Sequence, residues 1–316
     1  MIAVLAGGVG AARYLAGLVQ VVPPGEVTAV VNTADDVWLH GLRVCPDLDT
    51  VTYTLAGAVD AERGWGLAGE TWRALDALAR FAGVVPEGSA AGATWFRLGD
   101  TDLATHLYRT VRLGEGAGLA QVTAEVSAAW GVVPRLLPMT DDEVETRVTL
   151  AEEAQEVGFQ EYFVARRHAV ATSGVRFAGI EGARPGPGVL DALAGAERVV
   201  IAPSNPIVSI GPVLAVSGVA EALAERRHDV VAVSPIVAGA ALRGPADRLM
   251  VELGHEPSVV GVARLYAPWA GVLVVDEADA ALAGEVEAAG LRCIVAASVM
   301  HGPAQAAALA RTTLGA

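Results

Sequence analysis

The chain has little that would tie it together covalently and little that would draw it to nucleic acid. Its two cysteines, Cys45 and Cys293, stand far apart and form no CxxC pair. That excludes a disulfide framework and a thiolate metal site, and leaves both as small buried hydrophobes of a reducing compartment. Aromatic residues make up only 5% of the sequence, too few for a base-stacking surface. Basic residues are outnumbered, 22 Lys and Arg against 36 Asp and Glu, and the resulting formal charge of −14 argues against a broad electrostatic footprint for nucleic acid. No basic leader precedes MIAVLAGG, where Gly7, Gly8 and Arg13 break the apolar run, so the start reads as a strand and turn rather than a signal peptide. The charge-free stretch 199–220 is interrupted by Pro203, Pro206 and Pro212, which speaks against a spanning helix. A cytoplasmic protein is expected, with no membrane and no nucleic-acid partner.

Apolar residues are what the chain has in plenty. At 53% hydrophobic and 18% charged, its 316 residues can bury a substantial core in one large domain or two. IAVLAGG and the helical spacing from Gly10 to Leu18 predict strand, turn and helix, and a second strand is expected at 26–31. Helices are expected at 49–58 and 70–82, then at 101–113 and 119–130, with no strong strand between 59 and 131. Strand patterns return at 135–138, 145–150 and 170–177. They then alternate with helices: strands at 198–202, 229–234, 271–276 and 292–297, helices near 212–226, 245–253, 277–289 and 303–314. That rhythm predicts an α/β fold, a Rossmann-like, doubly wound, mostly parallel sheet over 1–58 and 132–316, with 59–131 as a helical insertion.

Between Val30 and Thr54 four carboxylates, Asp35, Asp36, Asp47 and Asp49, follow straight after a predicted strand. Carboxylates gathered this closely repel and raise one another's pKa, so beside a glycine turn they point to a hard cation serving a phosphorylated ligand. A solvated acidic loop is the plainer alternative, but Trp38, Cys45 and Pro46 suit such a loop poorly. In the turn GGVGAAR, Gly8 and Gly10 match the first two glycines of a dinucleotide fingerprint, yet Arg13 stands at the third and Asn32 ends the second strand where an acid is wanted. A nicotinamide cofactor is therefore disfavoured, while glycines at a helix N-terminus remain suited to a diphosphate, with Arg13 adding a charged contact. Two further loops, APSNPIVSIG with Ser204, Asn205 and Ser209, and SPIVAGAALRGPAD with Ser234 and Arg243, follow predicted strands at the end where open α/β sheets bind ligands.

GGVGAAR, NTADD, CPDLDT, GWGLAGET, FRLGDTDLATH, LLPMTDD, FQEYF, APSNPIVSIGP and SPIVAGAALRGPADR, in this order and spanning nearly the whole chain, resemble the 2-phospho-L-lactate transferase family of coenzyme F420 biosynthesis, in particular its actinobacterial branch. The resemblance implies a Mg2+-dependent enzyme. A guanosine-diphosphate-linked donor gives its phosphoenolpyruvyl or 2-phospho-L-lactyl group to the terminal ribityl hydroxyl of the deazaflavin Fo, and GMP leaves. Actinobacterial members are associated with the phosphoenolpyruvyl donor. The sequence does not choose among phosphoenolpyruvyl, phospholactyl and phosphoglyceryl groups.

On that reading Asp36 and Asp47 are assigned the metal, and Asp36, Asp47 and Asp49 the catalytic work, with any of the four carboxylates a candidate base. Asp35 and Asp36 are adjacent and cannot point the same way on an extended segment. Gly8, Gly10, Arg13, Ser204, Asn205, Ser234 and Arg243 are assigned to the donor nucleotide. Asn32, Asp35, His40 and Trp65 are assigned to the acceptor, covered by the insertion, with His106 and Phe159 as further candidates. Ala238 and Arg243 depart from the family pattern, which commonly has Gly and Lys there; an arginine binds phosphate as a fork rather than a point charge. A homodimer is expected. The rival is a regulatory nucleotide-sugar-binding protein of the same fold, which needs the nucleotide loops but no acceptor site; a nicotinamide-dependent oxidoreductase comes third.

Overall fold

The computed structural model describes residues 1–86, 89–153 and 155–316. Strands β1 (Ile2–Ala6), β2 (Val27–Val31), β3 (Val37–Leu39), β4 (Leu42–Val44), β5 (Arg135–Pro138), β6 (Glu145–Leu150), β7 (Glu156–Gly158), β8 (Thr172–Ala178), β9 (Arg198–Ile201), β10 (Val230–Val233), β11 (Ile236–Val237), β12 (Ala240–Ala241), β13 (Val272–Val275) and β14 (Arg292–Val295) follow one another along the chain. Seven of them form one sheet in the order β14-β13-β10-β9-β1-β2-β5, every neighbour parallel.

Both faces of this sheet are covered, and the sequence explains why. Along β1 the residues alternate between two cores: Ala3 and Leu5 join one, Ile2, Val4 and Ala6 the other. The same alternation continues in β9, where Val199 and Ile201 face one way and Val200 the other. A strand buried on both sides reads as an unbroken apolar run, which is how IAVLA, VTAVV and VVAV appear. Each fully buried Val or Leu contributes about 1.5–3 kcal/mol.

Helix α1 (Gly8–Leu18) packs on one face beside α2 (Pro46–Leu55) and the last helix, Pro303–Leu314. The contact with the last helix is close: a Cβ on Gly17 would lie 2.3 Å from the Ala306 carbonyl carbon, and the Tyr14 hydroxyl meets Thr313 Oγ1 at 2.5 Å. Residues 59–131 hold α3 (Arg73–Leu78), α4 (Asp102–Gly114) and α5 (Leu119–Ala129), with one isolated bridge, Val59 to Leu67.

Several elements differ from the pattern reading. The carboxylate segment contains an antiparallel hairpin, β3 with β4, turning at His40 (φ 52°) and Gly41 (φ 76°). Residues 145–178 form a separate antiparallel sheet in the order β7-β6-β8. The helix expected at 212–226 is two, Gly211–Ala215 and Val219–Glu225, the helical run Pro206–Ala215 being bent 92° from the second, with Gly218 in the left-handed region (φ 83°) between them. Among the described residues no single helix is long and apolar enough to cross a membrane.

Candidate functional site

The chain runs from β1 through β2 to β5 on one side, then returns to β9 on the other side of β1, so winding reverses between β1 and β9. An open α/β sheet leaves a crevice at such a point, beyond the carboxyl ends of its strands. A cavity of 760 Å³ lies there, lined by the loops after β1 (Gly7, Gly8), β2 (Asp35), β9 (Pro203–Ser209 region), β10 (Ser234) and β14 (Ser298). The two loops at the reversal touch. A Cβ on Gly10 would lie 2.1 Å from the Pro203 carbonyl oxygen, and Ser204 Oγ donates to the Gly7 carbonyl at 2.8 Å.

One side of the cavity is built for an anion. Helix α1 starts at Gly8 (φ 70°) with Gly7 as an N-cap that offers no side chain, so its amide end faces the opening. Arg13 lines the same side, and its pKa is lowered by burial and by the like charge of Arg243, which also lines the cavity. Two guanidiniums that repel each other across one space are balanced by a ligand of opposite charge. Arg243 Nη1 donates to the Arg63 carbonyl at 2.6 Å, which fixes this arginine to the segment before α3. Every basic residue of the chain is an arginine, so no lysine supplies a positive charge here. Asn205 uses its carboxamide oxygen to accept from Ile207 N (2.9 Å) and Val208 N (3.3 Å), shaping the π-helical turn Pro206–Ile210. Ser234 is spent similarly, its hydroxyl donating to the Ile236 carbonyl at 2.9 Å.

Carboxylates line the cavity as well, one of them against that same helix end. Asp47, in the first turn of α2, accepts from Gly8 N (2.9 Å) and from Asn32 Nδ2 (3.0 Å). Burial nonetheless raises its pKa to about 6, these hydrogen bonds opposing only part of the effect. Asp35 is pushed well above the ordinary carboxylate range by burial and then by the charge of Asp47, and its Oδ1 is buried without a partner. Asp49 is gripped by both terminal nitrogens of Arg109, Nη1 reaching Oδ2 at 3.2 Å. Arg109 is itself buried; burial acts against its charge, but Asp49, Cys45 and Asp36 together outweigh it and its pKa rises.

The predicted residues therefore divide. Gly8, Gly10, Arg13, Asp35, Asp47, Asp49, Trp65, Ser204, Asn205, Ser234 and Arg243 share the cavity, together with His106 and Phe159. Asp36 does not face it: Arg43 Nη2, from the β3–β4 hairpin, donates to Asp36 Oδ2 at 3.3 Å, and burial still raises this carboxyl to about 7 against the arginine's pull. Asn32 is fully buried behind Asp47, with its Oδ1 accepting from Ala34 N at 3.0 Å. His40 lines a second cavity of 640 Å³ with Trp38 and Leu75.

Sequence reading missed Tyr53, Asp102 and Arg109. Asp102, His106 and Arg109 lie at i, i+4 and i+7 on α4, one helical face, and that spacing within FRLGDTDLATHLYR was the available signal. It also missed Phe163, stacked on Phe159 at 5.6 Å between ring centroids, and the loop Ser298–His301.

Among the described residues no three His, Cys, Asp or Glu are grouped so as to hold a metal by themselves. Asp35 and Asp47 nonetheless suit a magnesium ion, which commonly takes one or two carboxylates and completes its shell with water and phosphate oxygens. The orphaned Asp35 oxygen and the mutual repulsion of the pair are what a cation would relieve.

Fold and site together define an α/β protein with arginines, a helix N-terminus and paired carboxylates around one cavity beyond the carboxyl ends of its strands. Residues 2–292 match the family described as 2-phospho-L-lactate transferase CofD. The chain belongs to that family, and is thereby a transferase of the 2-phospho-L-lactate or phosphoenolpyruvate kind. Among similar relatives, the phosphoenolpyruvate transferase of Streptomyces griseus is 46% identical over 99% of this chain and 97% of its own length. The phosphoenolpyruvate transferase of Kitasatospora aureofaciens is 45% identical over 99% and 96%, and that of Mycolicibacterium smegmatis 43% identical over 87% and 86%. Protein BH3568 of Bacillus halodurans, a crystal structure, superposes with a TM-score of 0.62 at 16% identity, covering 99% of this chain and 98% of its own. At that identity the likeness speaks for the fold alone.

Proposed function

We propose that the protein transfers a phosphoenolpyruvyl group from a guanosine-diphosphate-linked donor to the terminal ribityl hydroxyl of the deazaflavin Fo, releasing GMP, as a step of coenzyme F420 biosynthesis. Relatives covering 87–99% of the chain carry the name phosphoenolpyruvate transferase, which favours that group over 2-phospho-L-lactyl. The observation that carries the reading is that one cavity gathers two sets of groups, a cationic set, Arg13 and Arg243 with the α1 N-terminus, and a pair of carboxylates, Asp35 and Asp47. A regulatory nucleotide-binding protein would need only the first.

The donor's diphosphate lies along Gly8, Gly10 and Arg13, with Arg243, Ser204, Asn205 and Ser234 bounding the nucleotide. Asp47 already occupies the Gly8 amide at 2.9 Å, so an arriving phosphate meets a carboxylate there. Magnesium, held by Asp47 and Asp35, would offset the charge of both carboxylates and of the diphosphate. Asp36, turned to Arg43, is left the task of holding the hairpin, and Asp49, turned to Arg109, that of fixing the first turn of α2. The acceptor's hydroxyl oxygen attacks the phosphorus bearing the enolpyruvyl group, the bond from that phosphorus to the GMP oxygen breaks, and the hydroxyl proton passes to a carboxylate. Trp65 and Phe96 offer aromatic faces to the deazaflavin ring. Asn32 contributes through Asp47, and His40 has no part.

The test is mass spectrometry of purified protein incubated with Fo, Mg2+ and either the enolpyruvyl or the lactyl guanosine-diphosphate donor. Formation of dehydro-F420-0 and GMP supports the reading. Product from the lactyl donor alone corrects the transferred group, and no product from either overturns the reaction.

A further inference from the structure

The cavity also holds a carboxylate, Asp102, that differs from Asp35 and Asp47. Asp102 opens α4, where a negative charge is favoured by the helix dipole. Its Oδ1 accepts from the Tyr53 hydroxyl at 2.6 Å, and His106 Nε2 lies 3.2 Å from its Oδ2. The tautomer follows from the neighbours. Arg109 only donates, and its Nη1 lies 3.3 Å from His106 Nδ1, so Nδ1 accepts and Nε2 carries the hydrogen. That Nε2 is buried, out of line for a hydrogen bond to Asp102, and has no other partner. Burial alone would raise it, but the closeness of His106 and the Tyr53 hydrogen bond bring the Asp102 pKa below the ordinary carboxylate value. An ionised carboxylate of this kind is a weak base and a strong hydrogen-bond acceptor.

Its surroundings narrow what it accepts from. Asp102, Tyr53 and His106 lie against one another in the cavity wall, which Thr50 and Phe96 also line. A fixed anion there repels the donor's phosphates, so that part is left to a molecule bearing hydroxyls and an apolar face. Resting on the function proposed above, we propose that Asp102 is an acceptor-binding residue that accepts hydrogen bonds from the polyol chain of the acceptor, with Tyr53 and His106 as positioning residues that act through it.

The acceptor's own hydroxyls provide the test. The probes are Fo and a deazaflavin with an alkyl chain in place of the ribityl group, titrated by fluorescence against the wild-type protein and Asp102→Asn, with GDP affinity measured alongside. The wild type should prefer Fo by on the order of tenfold or more, the strength of a hydrogen bond to a charged group. Asp102→Asn should weaken Fo by a similar factor, leave the alkyl analogue within about twofold, and keep GDP binding intact. Unchanged Fo affinity, or equal losses for Fo and the analogue, would overturn the assignment. If the Asn variant also loses GDP, Tyr53→Phe decides by the same comparison: a severalfold loss confined to Fo supports the proposal, and no loss or an equal loss refutes it. Wild-type protein that binds GDP but neither deazaflavin overturns the acceptor reading itself, a result distinct from any failure at Asp102.

Discussion

Replacing Asp47 by asparagine should make the metal-free protein more stable while removing its activity. Buried Asp47 has a pKa of about 6 against an ordinary 3.8, so at pH 7 the folded state holds a charge that it carries less readily than the unfolded chain does. Two pKa units correspond to about 3 kcal/mol. Asparagine keeps an oxygen for Gly8 N, but its amide then faces Asn32 Nδ2, a donor against a donor, and losing this buried hydrogen bond to a charged group costs about 2 kcal/mol. The remainder, about 1 kcal/mol, amounts to a rise of roughly 2 °C in melting temperature. A raised carboxylate pKa adds stability below about pH 4, and that contribution disappears as pH climbs through 6; the variant's advantage should accordingly be present at pH 7–8 and vanish at pH 4. Thermal unfolding in chelator across this range is the assay. A variant that melts at or below the wild type at pH 7, or an advantage that persists at pH 4, refutes the reasoning.

Gly10→Ala should weaken GDP binding at least tenfold and lower stability by about 1–3 kcal/mol, because the new Cβ meets the Pro203 carbonyl at 2.1 Å and must displace one of the two loops where the sheet reverses; calorimetric titration and urea unfolding measure the two effects. Ala238→Gly should do the reverse for stability. Ala238 sits at φ 51°, where a Cβ costs about 1–2 kcal/mol, and glycine's looser unfolded chain returns roughly half, so the urea midpoint should rise slightly.

The central sheet was legible because its strands are buried on both faces, so apolar runs such as VVAV needed no partner to be recognised. The helices alternating with them followed. The hairpin at 37–44 was not legible: it packs on Leu98 and Leu103 from the insertion, and such long-range contacts leave no local period. For the same reason the aspartate cluster could be found but not apportioned. Which of Asp35 and Asp36 faces the cavity is decided by Arg43, seven residues on and folded back by the hairpin. Asp49 likewise meets a partner, Arg109, sixty residues away. The preference for glycine at position 238 that the resemblance brought now has a cause in the backbone angle there.

The close contact of Gly17 with Ala306 gives the carboxyl-terminal helix a duty remote from its place in the chain. With backbone against side-chain-free backbone, and Tyr14 bolted to Thr313, the last helix acts as a back-plate for α1. The amides at the front of α1 are aimed by what presses on its rear, so even modest bulk introduced at either crossing residue would tilt the anion-facing end from more than a helical turn away.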